Sequence, residues 1–424
     1  MLTAIVGINW GDEGKGRMVD LLSQGYDVVS RYQGGNNAGH TIFVQGEKFV
    51  LNLLPSGILR PGVVNVLGPG MVVDIAHLRG EMERLMARGV KIGPENLKIS
   101  HQAAICIPAN VRQDCLEEER LADAKYGSTR RGIAPIYGDK YMKKALRMGD
   151  LLEPERLERQ LKLLLDWKNL LLEKGYGAPA EDYEATLRWL RKNGEPLREF
   201  ICDTGLYLED ALSAGKSVLF EAQLGALRDI DYGIYPYTSS STTLAAYAPI
   251  GAGIPGRKLD KTVGVMKAYS SCVGEGPFTC ELFGTEAEAL REAGGEYGAA
   301  TGRPRRVGPF DVPASRYGAR VQGADEIALT KLDTLSYLSE IPVCVAYEVD
   351  GITTREFPSG DRLDRAKPVV EKMPGWSCDI TACRRWEDLP EAARDYVTFL
   401  EDQAGRPIRY VSVGADRDQY LVRE

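Results

Sequence analysis

The sequence predicts an α/β protein in which helices flank a large, mostly parallel central sheet. Three observations support this fold class. Residues 4–8 form an apolar run typical of a buried strand, and a glycine-rich loop and a helical pattern follow it directly. Residues 42–100 alternate short apolar runs with turn signals and one helical pattern, as α/β proteins do. Leucines at helical spacing between residues 155 and 175 predict long helices in the next part of the chain.

We therefore expect a single α/β domain over residues 1–424, with a helical insertion at about 101–200. The first strand, loop and helix give the predicted fold the character of a P-loop NTPase. Later patterns predict further buried strands at 217–221, 263–270, 327–333 and from 408, and an amphipathic helix at about 389–403.

The composition restricts the partners and the compartment of the protein. A formal net charge of −7 argues against nucleic-acid binding through a globally basic surface. No apolar run approaches the ~18 residues of a membrane span, and acids at positions 12 and 13 argue against a signal peptide. The eight cysteines form no C-x-x-C pair and there are only three histidines, so a zinc site has little support. We expect a cytoplasmic protein with reduced thiols that uses neither nucleic acid nor a membrane as a partner.

The first candidate site is the segment Trp10–Arg17, with the sequence W-G-D-E-G-K-G-R. Glycines let the backbone approach a phosphate closely, the helix N-terminus favours anions, and Lys15 adds a positive charge. The segment departs from the ordinary P-loop signature, because Gly16 stands where Ser or Thr would bind Mg²⁺. Asp12 places a carboxylate at this position, and such a group can bind a metal or remove a proton.

The second candidate site is the small-residue loop 34–41, which ends in His40 and Thr41. A tight surface turn with a structural histidine is one interpretation. Two glycine-rich loops within one βαβ-sized segment, one with an acid and one with an imidazole, favour a functional interpretation.

The two motifs W-G-D-E-G-K-G and N-A-G-H-T, in this order and at this spacing, resemble the signature of the adenylosuccinate synthetase family, the GTP-dependent ligases of purine biosynthesis. The resemblance implies ligation of IMP and L-aspartate to adenylosuccinate through 6-phosphoryl-IMP, the first committed step of AMP synthesis. It assigns removal of the N1 proton of IMP to Asp12, a hydrogen bond or proton to His40, and charge stabilisation to Lys15. It further implies Mg²⁺ held by Asp12 and the Gly39 carbonyl, GTP as co-substrate, and a homodimer.

The resemblance also assigns binding residues. IMP and L-aspartate would contact Asp12, Glu13, Gly14, Lys15, Asn37, Ala38, Gly39, His40, Thr129, Lys143, Gln223, Leu224, Thr238, Val273, Ala299, Ala300, Thr301, Gly302, Arg303 and Arg305. GTP would contact Gly11, Asp12, Glu13, Gly14, Lys15, Gly16, Arg17, Gly39, His40, Thr41, Arg305, Lys331, Leu332, Asp333, Ser412, Val413 and Gly414.

Residues 126–135 form a Gly/Ser/Thr loop that carries arginines. Its composition fits an exposed basic turn and an anion clamp equally well. The resemblance makes Thr129 a contact of the nucleotide 5′-phosphate. It also implies that Lys143 reaches this phosphate from the partner subunit, where the family has an arginine. Lysine keeps the charge of arginine but loses its bidentate fork.

The segment after the strand 217–221 departs slightly from the family. The family has a glutamine immediately before Gly225, where this chain has Leu224, with Gln223 one position earlier. A shift of one residue can turn a side chain to the opposite face of an extended strand. In the hydroxyl-rich loop 235–243, the resemblance makes Thr238 a phosphate contact.

The loop 299–306 holds three arginines in a chain of net charge −7. A solvated basic turn is possible, but arginine binds carboxylates with two parallel hydrogen bonds, which favours an anion site. By resemblance this loop and Val273 bind L-aspartate, Arg303 also contacts the nucleoside monophosphate, and Arg305 also contacts GTP. The family often has threonine where Ala300 stands.

The segment 327–333 predicts a strand that ends in Lys331 and Asp333. An aspartate carboxylate can accept the N1–H and 2-amino hydrogens of guanine, while the lysine stem packs on the ring. By resemblance the loop at 412–414 closes this guanine pocket.

Two alternatives remain at the level of sequence. One is a related ligase that aminates a different purine nucleotide; the phage-type enzyme has serine in place of the catalytic aspartate, whereas this chain has Asp12. The other is a GTP-binding regulator without ligase activity, in which the arginine loop and the Asp12/His40 pair would have no evident role.

Overall fold

A ten-stranded sheet forms the centre of the protein in a computed structural model that describes residues 1–44, 46–298 and 302–423. The strand order is β20-β19-β15-β11-β1-β10-β2-β5-β7-β9, and only β20 runs antiparallel to its neighbour. The twenty strands, in chain order β1–β20, are Leu2–Gly7, Val28–Arg31, His40–Val44, Glu47–Leu51, Val64–Leu67, Val72–Val73, Leu97–Ser100, Ala104–Ile105, Ile201–Cys202, Val218–Glu221, Lys261–Lys267, Ser270–Cys272, Arg306–Gly308, Phe310–Asp311, Glu326–Thr330, Glu340–Val349, Ile352–Thr354, Lys367–Pro374, Ile408–Ser412 and Tyr420–Val422.

Twelve α-helices accompany the strands in the part of the chain that is described. In chain order α1–α12 they are Lys15–Leu22, Ile75–Met86, Pro108–Leu121, Ile133–Tyr141, Pro154–Leu170, Tyr183–Gly194, Thr204–Ser213, Ala248–Ala252, Gly284–Gly294, Val312–Gln322, Asp361–Asp364 and Glu391–Ala404. The prediction of an α/β fold with a mostly parallel sheet is confirmed. Over the three described ranges, no helix has the length and apolar character needed to cross a membrane.

The predicted helical insertion contains α3 to α6, together with the short strand β8. The assignment of the whole chain to one domain stays a prediction. Apolar clusters pack against both ends of the sheet. One contains side chains of β5 and β7, and the other contains side chains of β15 and β19. The central strand β1 lies between β10 and β11, and all six residues of β1 are buried.

Two strand predictions were wrong in their extent. The run 263–270 divides into β11 and β12, which pair with different strands. The run 327–333 ends as a strand at Thr330, because Lys331 adopts a left-handed conformation with φ of 64°. Asp333 then begins a turn of 3₁₀-helix, so the end of the segment bends out of the sheet.

Candidate active site

A cavity of about 940 Å³ opens at the carboxyl edge of the central sheet. It is lined by the segments that follow β1, β2, β10, β11, β15 and β19, and by parts of α3 and α4. The carboxyl ends of parallel strands meet at one edge of a sheet, which is where open α/β sheets bind ligands. The fold therefore gathers into one cavity segments that are far apart in sequence.

The phosphate loop, residues 8–14, connects β1 to α1 and is folded around the carboxylate of Glu13. This side chain is buried, and its Oε1 accepts hydrogen bonds from the backbone N–H groups of Asn9 at 3.1 Å and Gly11 at 2.8 Å. Its Oε2 lies 2.5 Å from the ammonium of Lys15, which lines the cavity. Glu13 therefore shapes the loop and positions the lysine, while the open end of α1 faces the cavity as an anion site.

The structure gives a steric reason for the glycine at position 16, which the sequence alone does not show. A Cβ at this position would lie 2.6 Å from the Cβ of His40 and 3.2 Å from the hydroxyl of Ser56. The space that the P-loop hydroxyl would need is thus occupied by the histidine of the second loop. The two candidate sites are in direct contact.

His40 is held by a carboxylate that lies beneath the cavity. Its Nδ1 hydrogen-bonds Oε1 of Glu221, the last residue of β10, which is fully buried. Ser56 donates to the same carboxylate through its N–H at 2.7 Å and its hydroxyl at 2.6 Å. Burial alone would raise the pKa of Glu221, but His40, Arg31 and Ser56 hold it below its ordinary value. With Nδ1 engaged, Nε2 is the imidazole nitrogen that remains for a ligand.

Asp12 is partly exposed and forms an ion pair with Arg305. The distance from Oδ2 to Arg305 Nη2 is 3.0 Å, and the Asp12 side chain is 35% exposed. The other terminal nitrogen of Arg305 lies 2.8 Å from the buried carboxylate of Glu296. Glu296 also binds the buried ammonium of Lys267 at 2.7 Å. Burial would raise the pKa of Glu296, but Lys267, Arg305 and Tyr269 lower it to about 2.

The donor set fits a magnesium ion shared with a nucleotide. The Asp12 carboxylate and the Gly39 residue both line the cavity. Mg²⁺ in phosphate-transferring proteins takes one or two carboxylates and completes its shell with substrate phosphates and water. Among the described residues, no group of three or more His, Cys, Asp and Glu side chains is placed to hold a metal ion by itself.

The loop that carries Thr129 is attached to α3 by two carboxylates. Asp114 accepts from the hydroxyl of Ser128 at 2.7 Å and from the N–H of Gly132 at 2.8 Å. One turn later, Glu118 accepts from the N–H groups of residues 126 and 127 at 3.2 and 3.1 Å. These contacts hold the loop so that the exposed Thr129 faces the cavity.

Another part of the cavity has unsatisfied hydrogen-bonding capacity. Oδ1 of Asp333 is buried and has no hydrogen-bond partner among the described residues. Burial raises the pKa of Asp333, against the opposing effect of Lys331. The loop after β19 lies beside it, since the N–H of Leu332 donates to the carbonyl of Ser412 at 3.3 Å. Arg17 on α1 donates to Ser412 and to the carbonyl of Gly414, and so joins this end to the phosphate loop.

Most of the residues proposed from the sequence line this one cavity. They are Gly11, Asp12, Glu13, Gly14, Lys15, Gly16, Arg17, Asn37, Ala38, Gly39, His40, Thr41, Thr129, Leu224, Thr238, Val273, Arg305, Lys331, Asp333 and Gly414. Within the described ranges, the cavity surface does not include Lys143, Gln223, Gly302, Arg303, Leu332, Ser412 and Val413. Ala299, Ala300 and Thr301 lie outside the described residues.

Gln223 and Leu224 are placed differently, as their shift in sequence suggested. Gln223 is fully buried, donates to Oδ1 of Asn37 at 2.9 Å and accepts from Arg31. Leu224 has a φ of 61° and faces the cavity. The glutamine thus supports the second loop through Asn37.

Arg303 and Lys143 lie at the surface. Arg303 is 65% exposed, and its guanidinium is 3.7 Å from Glu275. Lys143 is exposed just after α4 and does not reach the cavity of its own chain. The third arginine of the loop, Arg306, pairs with Glu281 at 2.5 Å and donates to the carbonyl of Gly276 at 2.7 Å. It therefore braces neighbouring loops.

Sequence reasoning missed four charged residues of the site. Glu221 and Lys267 are the last residues of buried apolar strands. A charged residue at the end of an apolar run was the feature of the sequence that could have indicated them. Arg228 lines the cavity and donates to the carbonyls of Val273 at 2.5 Å and Glu275 at 3.2 Å. Neither Arg228 nor Glu296 has a local pattern that distinguishes it from a surface charge.

Comparison with known proteins agrees with this geometry. The sequence matches the family model described as adenylosuccinate synthetase over residues 4–421. Two similar proteins, from Synechococcus sp. (strain CC9902) and Heliobacterium modesticaldum (strain ATCC 51547 / Ice1), carry the name adenylosuccinate synthetase and are each 45% identical to the chain. The matches cover 99% and 98% of this chain and 95% and 97% of those proteins.

Two solved structures are similar. A fully ligated adenylosuccinate synthetase from Plasmodium falciparum has a TM-score of 0.93 and 36% identity, and the match covers 100% of this chain and 99% of that one. The succinoaminodeoxyadenylate synthetase of cyanophage S-2L, bound to dGMP and dATP, has a TM-score of 0.61 and 19% identity over 99% of this chain and 95% of that one. The second similarity concerns the fold alone.

Proposed function

The chain belongs to the adenylosuccinate synthetase family, and on that premise we propose which of its residues carry the reaction. The enzyme is a ligase that joins IMP and L-aspartate to form adenylosuccinate in AMP synthesis, with GTP as co-substrate and Mg²⁺. The observation that supports the assignment to residues is the convergence of Asp12, Lys15 and His40 on one cavity.

The chemical problem is to replace the 6-oxo group of a purine by an amine. An oxide or hydroxide leaves poorly, so the oxygen must first be phosphorylated. Asp12 takes the N1 proton of IMP, and the electron pair moves to O6, which attacks the γ-phosphate of GTP and releases GDP. The amine of L-aspartate then attacks C6 of 6-phosphoryl-IMP, loses a proton and expels inorganic phosphate. The partial exposure of Asp12 supports its access to the substrate.

His40 contacts the charge that develops on the transferring oxygen. Its ring is fixed through Nδ1 by Glu221, so Nε2 is available to donate a hydrogen bond or proton. Donation from Nε2 requires a proton on that nitrogen, because Nδ1 is already engaged by Glu221. The fixed orientation of the ring supports its assignment as the donor.

The phosphates of GTP bind at the N-terminus of α1. Lys15, the glycines of the phosphate loop and Thr41 supply positive charge and donors. Asp12 and the Gly39 carbonyl would hold Mg²⁺, which would supply positive charge to neutralise the phosphates. Thr129 and Thr238 contact the 5′-phosphate of IMP, for which their positions on the cavity surface are the support.

L-aspartate binds to positively charged groups, whereas guanine binds to a carboxylate. The carboxylates of L-aspartate are held by Arg303 and Arg305, with Val273 nearby, because guanidinium binds a carboxylate through two parallel hydrogen bonds. Guanine is recognised by Asp333, whose buried and unpartnered Oδ1 supports an acceptor role. Lys331 and the loop at Gly414 complete this pocket.

The functional unit is a homodimer in the cytoplasm. Lys143 reaches the IMP phosphate of the partner subunit, and its exposure away from its own cavity supports this arrangement. Tyr141 and Met142 next to it are 69% and 47% exposed, as expected of side chains that a second subunit covers. All eight cysteines are free thiols, which supports a reducing compartment.

The decisive experiment measures adenylosuccinate spectrophotometrically with IMP, GTP, Mg²⁺ and L-aspartate, and omits each in turn. Product should require all of them, and Asp12→Ala should abolish it. Asp364→Ala, a change of an exposed carboxylate on α11 outside the cavity, is the matched control and should retain activity. GTP hydrolysis without IMP or L-aspartate would instead indicate a regulatory GTPase.

A mixing experiment tests the dimer. The Asp12→Ala and Lys143→Ala variants should each be inactive, but a mixed dimer has one site with both residues intact. Random exchange of subunits should restore about a quarter of wild-type activity, since half of the dimers are mixed and half of their sites are intact. No restoration after demonstrated exchange would refute the contribution of Lys143 across the interface.

A further inference from the structure

A chain of alternating charges leads from the floor of the cavity to Asp12. Tyr269 and Lys267 bind Oε1 of Glu296, whose Oε2 binds Nη1 of Arg305, and Nη2 of Arg305 binds Asp12. Exposure increases along the chain, from 0% for Glu296 through 14% for Arg305 to 35% for Asp12. The contact between Arg305 and Asp12 is therefore the one that solvent and ligands reach.

We propose that Glu296 is a positioning residue that holds Arg305 by one edge of its guanidinium, so that the other edge can exchange Asp12 for an anionic group of a substrate. The inference rests on the proposed function, because it takes Asp12 as the base and substrate anions as the ligands of Arg305. It adds that the base is ion-paired until an anion binds.

The hold of Glu296 on Arg305 is built into the backbone as well as the side chains. The N–H of Arg305 donates to the carbonyl of Glu296 at 2.9 Å, and the N–H of Glu296 donates to the carbonyl of Arg291 at 2.9 Å. The side chain of Arg291 donates to the carbonyl of Arg305 at 3.0 Å. Tyr297 and Pro304 form a β-bridge between these two positions. The backbone contacts thus fix the positions of Glu296 and Arg305. Motion of Arg305 is confined to the edge of its guanidinium that contacts Asp12.

Glu296 itself is held in place by Lys267 and Tyr269. Lys267 lies 2.7 Å away, is 5% exposed and also binds Ser271 at 2.5 Å, while Tyr269 donates to the same oxygen of Glu296. A buried ammonium without a counter-charge is costly, so the pair stays together when ligands bind. One edge of Arg305 consequently keeps its anion throughout.

The other edge is suited to exchange. Asp12 contributes one oxygen at 3.0 Å to Arg305 in a partly exposed pair, and such pairs contribute little stability. A carboxylate of L-aspartate or a phosphate of GTP offers the same chemistry to Nη2. Binding of that anion releases the carboxylate of Asp12 for the N1 proton of IMP. Substrate binding and readiness of the base are thereby coupled.

Two substitutions separate this role from a purely structural one. Glu296→Gln removes the charge that holds Arg305 and also leaves Lys267 buried without a counter-charge. Lys267→Met removes only the second charge, and the double variant restores neutrality without restoring the anion of Arg305. Tyr347→Phe, which deletes a buried hydrogen bond to Asp311 away from the cavity, serves as the control for loss of stability alone.

The measurements are kcat, the KM values for IMP, L-aspartate and GTP, and the Tm of each variant. For Glu296→Gln we expect the KM of whichever anion replaces Asp12 to rise by about 10- to 100-fold, the effect of losing a charge-assisted hydrogen bond. A rise for L-aspartate identifies its carboxylate as that anion, and a rise for GTP identifies phosphate. The KM for IMP should change less, Lys267→Met should raise the affected KM less, and the double variant should recover Tm but not KM.

Three results with the Glu296 and Lys267 variants would overturn the inference. They are recovery of both Tm and KM in the double variant, an equal KM effect in Lys267→Met, and KM values of Glu296→Gln within twofold of the wild type. Tyr347→Phe should lower Tm and leave every KM unchanged; a KM change there would mean that lost stability alone explains the effect. Failure of the wild type to form adenylosuccinate would refute the proposed function, and this inference with it.

Discussion

Replacement of Asp333 by asparagine should change which purine triphosphate the enzyme uses. Asp333 follows β15, and its Oδ1 is buried without a hydrogen-bond partner in the described part of the chain. A carboxylate can accept from both N1–H and the 2-amino group of guanine. Asparagine keeps the shape of the side chain but turns one acceptor into a donor.

The expected loss for GTP follows from the two hydrogen bonds. A hydrogen bond to a charged group contributes about 1.5 to 3 kcal/mol. Asp333→Asn weakens one such bond and places a donor against a donor in the other, so we expect a loss of about 2 to 4 kcal/mol. That loss corresponds to about a 30- to 1,000-fold higher KM for GTP. Xanthosine 5′-triphosphate has a carbonyl oxygen in place of the 2-amino group, and this oxygen accepts from the new amide.

The assay is the initial rate of adenylosuccinate formation at saturating IMP and L-aspartate, with GTP, inosine 5′-triphosphate or xanthosine 5′-triphosphate. The inosine nucleotide lacks the 2-amino group, so it should be a poorer substrate than GTP for the wild type but a better one than GTP for the variant, where the 2-amino group of GTP meets the new amide donor. Xanthosine 5′-triphosphate should become the preferred substrate of Asp333→Asn. An unchanged KM for GTP in the variant would refute the placement of guanine against Asp333.

Three further changes test the surroundings of the site. Glu221→Gln should lower kcat by about 10- to 100-fold with little change in KM, because His40 loses a charged hydrogen-bond partner; an unaltered kcat would contradict the role of the pair. Gly16→Ala should lower both kcat and Tm although alanine favours helix, because its Cβ would lie 2.6 Å from that of His40; a higher Tm with full activity would argue against the contact. The pKa of buried Asp311 is raised from 3.8 to about 6, so its contribution to stability is fully present below pH 3.8 and is lost as the pH rises through 6. Asp311→Asn should therefore have the higher Tm at pH 8, by an amount equivalent to about 3 kcal/mol, with the difference vanishing near pH 4; a difference independent of pH would exclude this explanation.

Sequence reasoning predicts most directly those candidate site residues that belong to a local pattern. The strand, glycine loop and helix around Lys15 form a continuous unit of the chain, so their geometry follows from spacing and glycine placement. His40 is a candidate from the sequence because its loop is also rich in glycine and lies nearby in the chain. Both loops contribute to the same cavity in the structure.

Other features depend on contacts that no local pattern contains. Glu296 and Lys267 are 29 positions apart, and their pairing follows from the packing of the loop after α9 against the end of β11. The bend at Lys331 depends on one residue in the left-handed conformation. Lysine rarely adopts this conformation, so the sequence does not predict the bend. Gln223 was a candidate for substrate contact, but Arg31 and Asn37 draw its side chain behind the second loop.

The departure of this site from the ordinary P-loop pattern and its proposed acid–base chemistry share one structural feature, the contact between position 16 and His40. A Cβ at position 16 would lie 2.6 Å from that of His40, so the packing of this imidazole against the first turn of α1 favours a glycine there. That imidazole needs a partner, and β10 supplies one by ending in Glu221 directly beneath it. Removal of the hydroxyl also removes a metal ligand, and the carboxylate of Asp12 at the mouth of the same helix takes over that role in the proposed site. In the proposed site, the histidine packed against Gly16 and the carboxylate of Asp12 thus add proton transfer to a phosphate-binding loop.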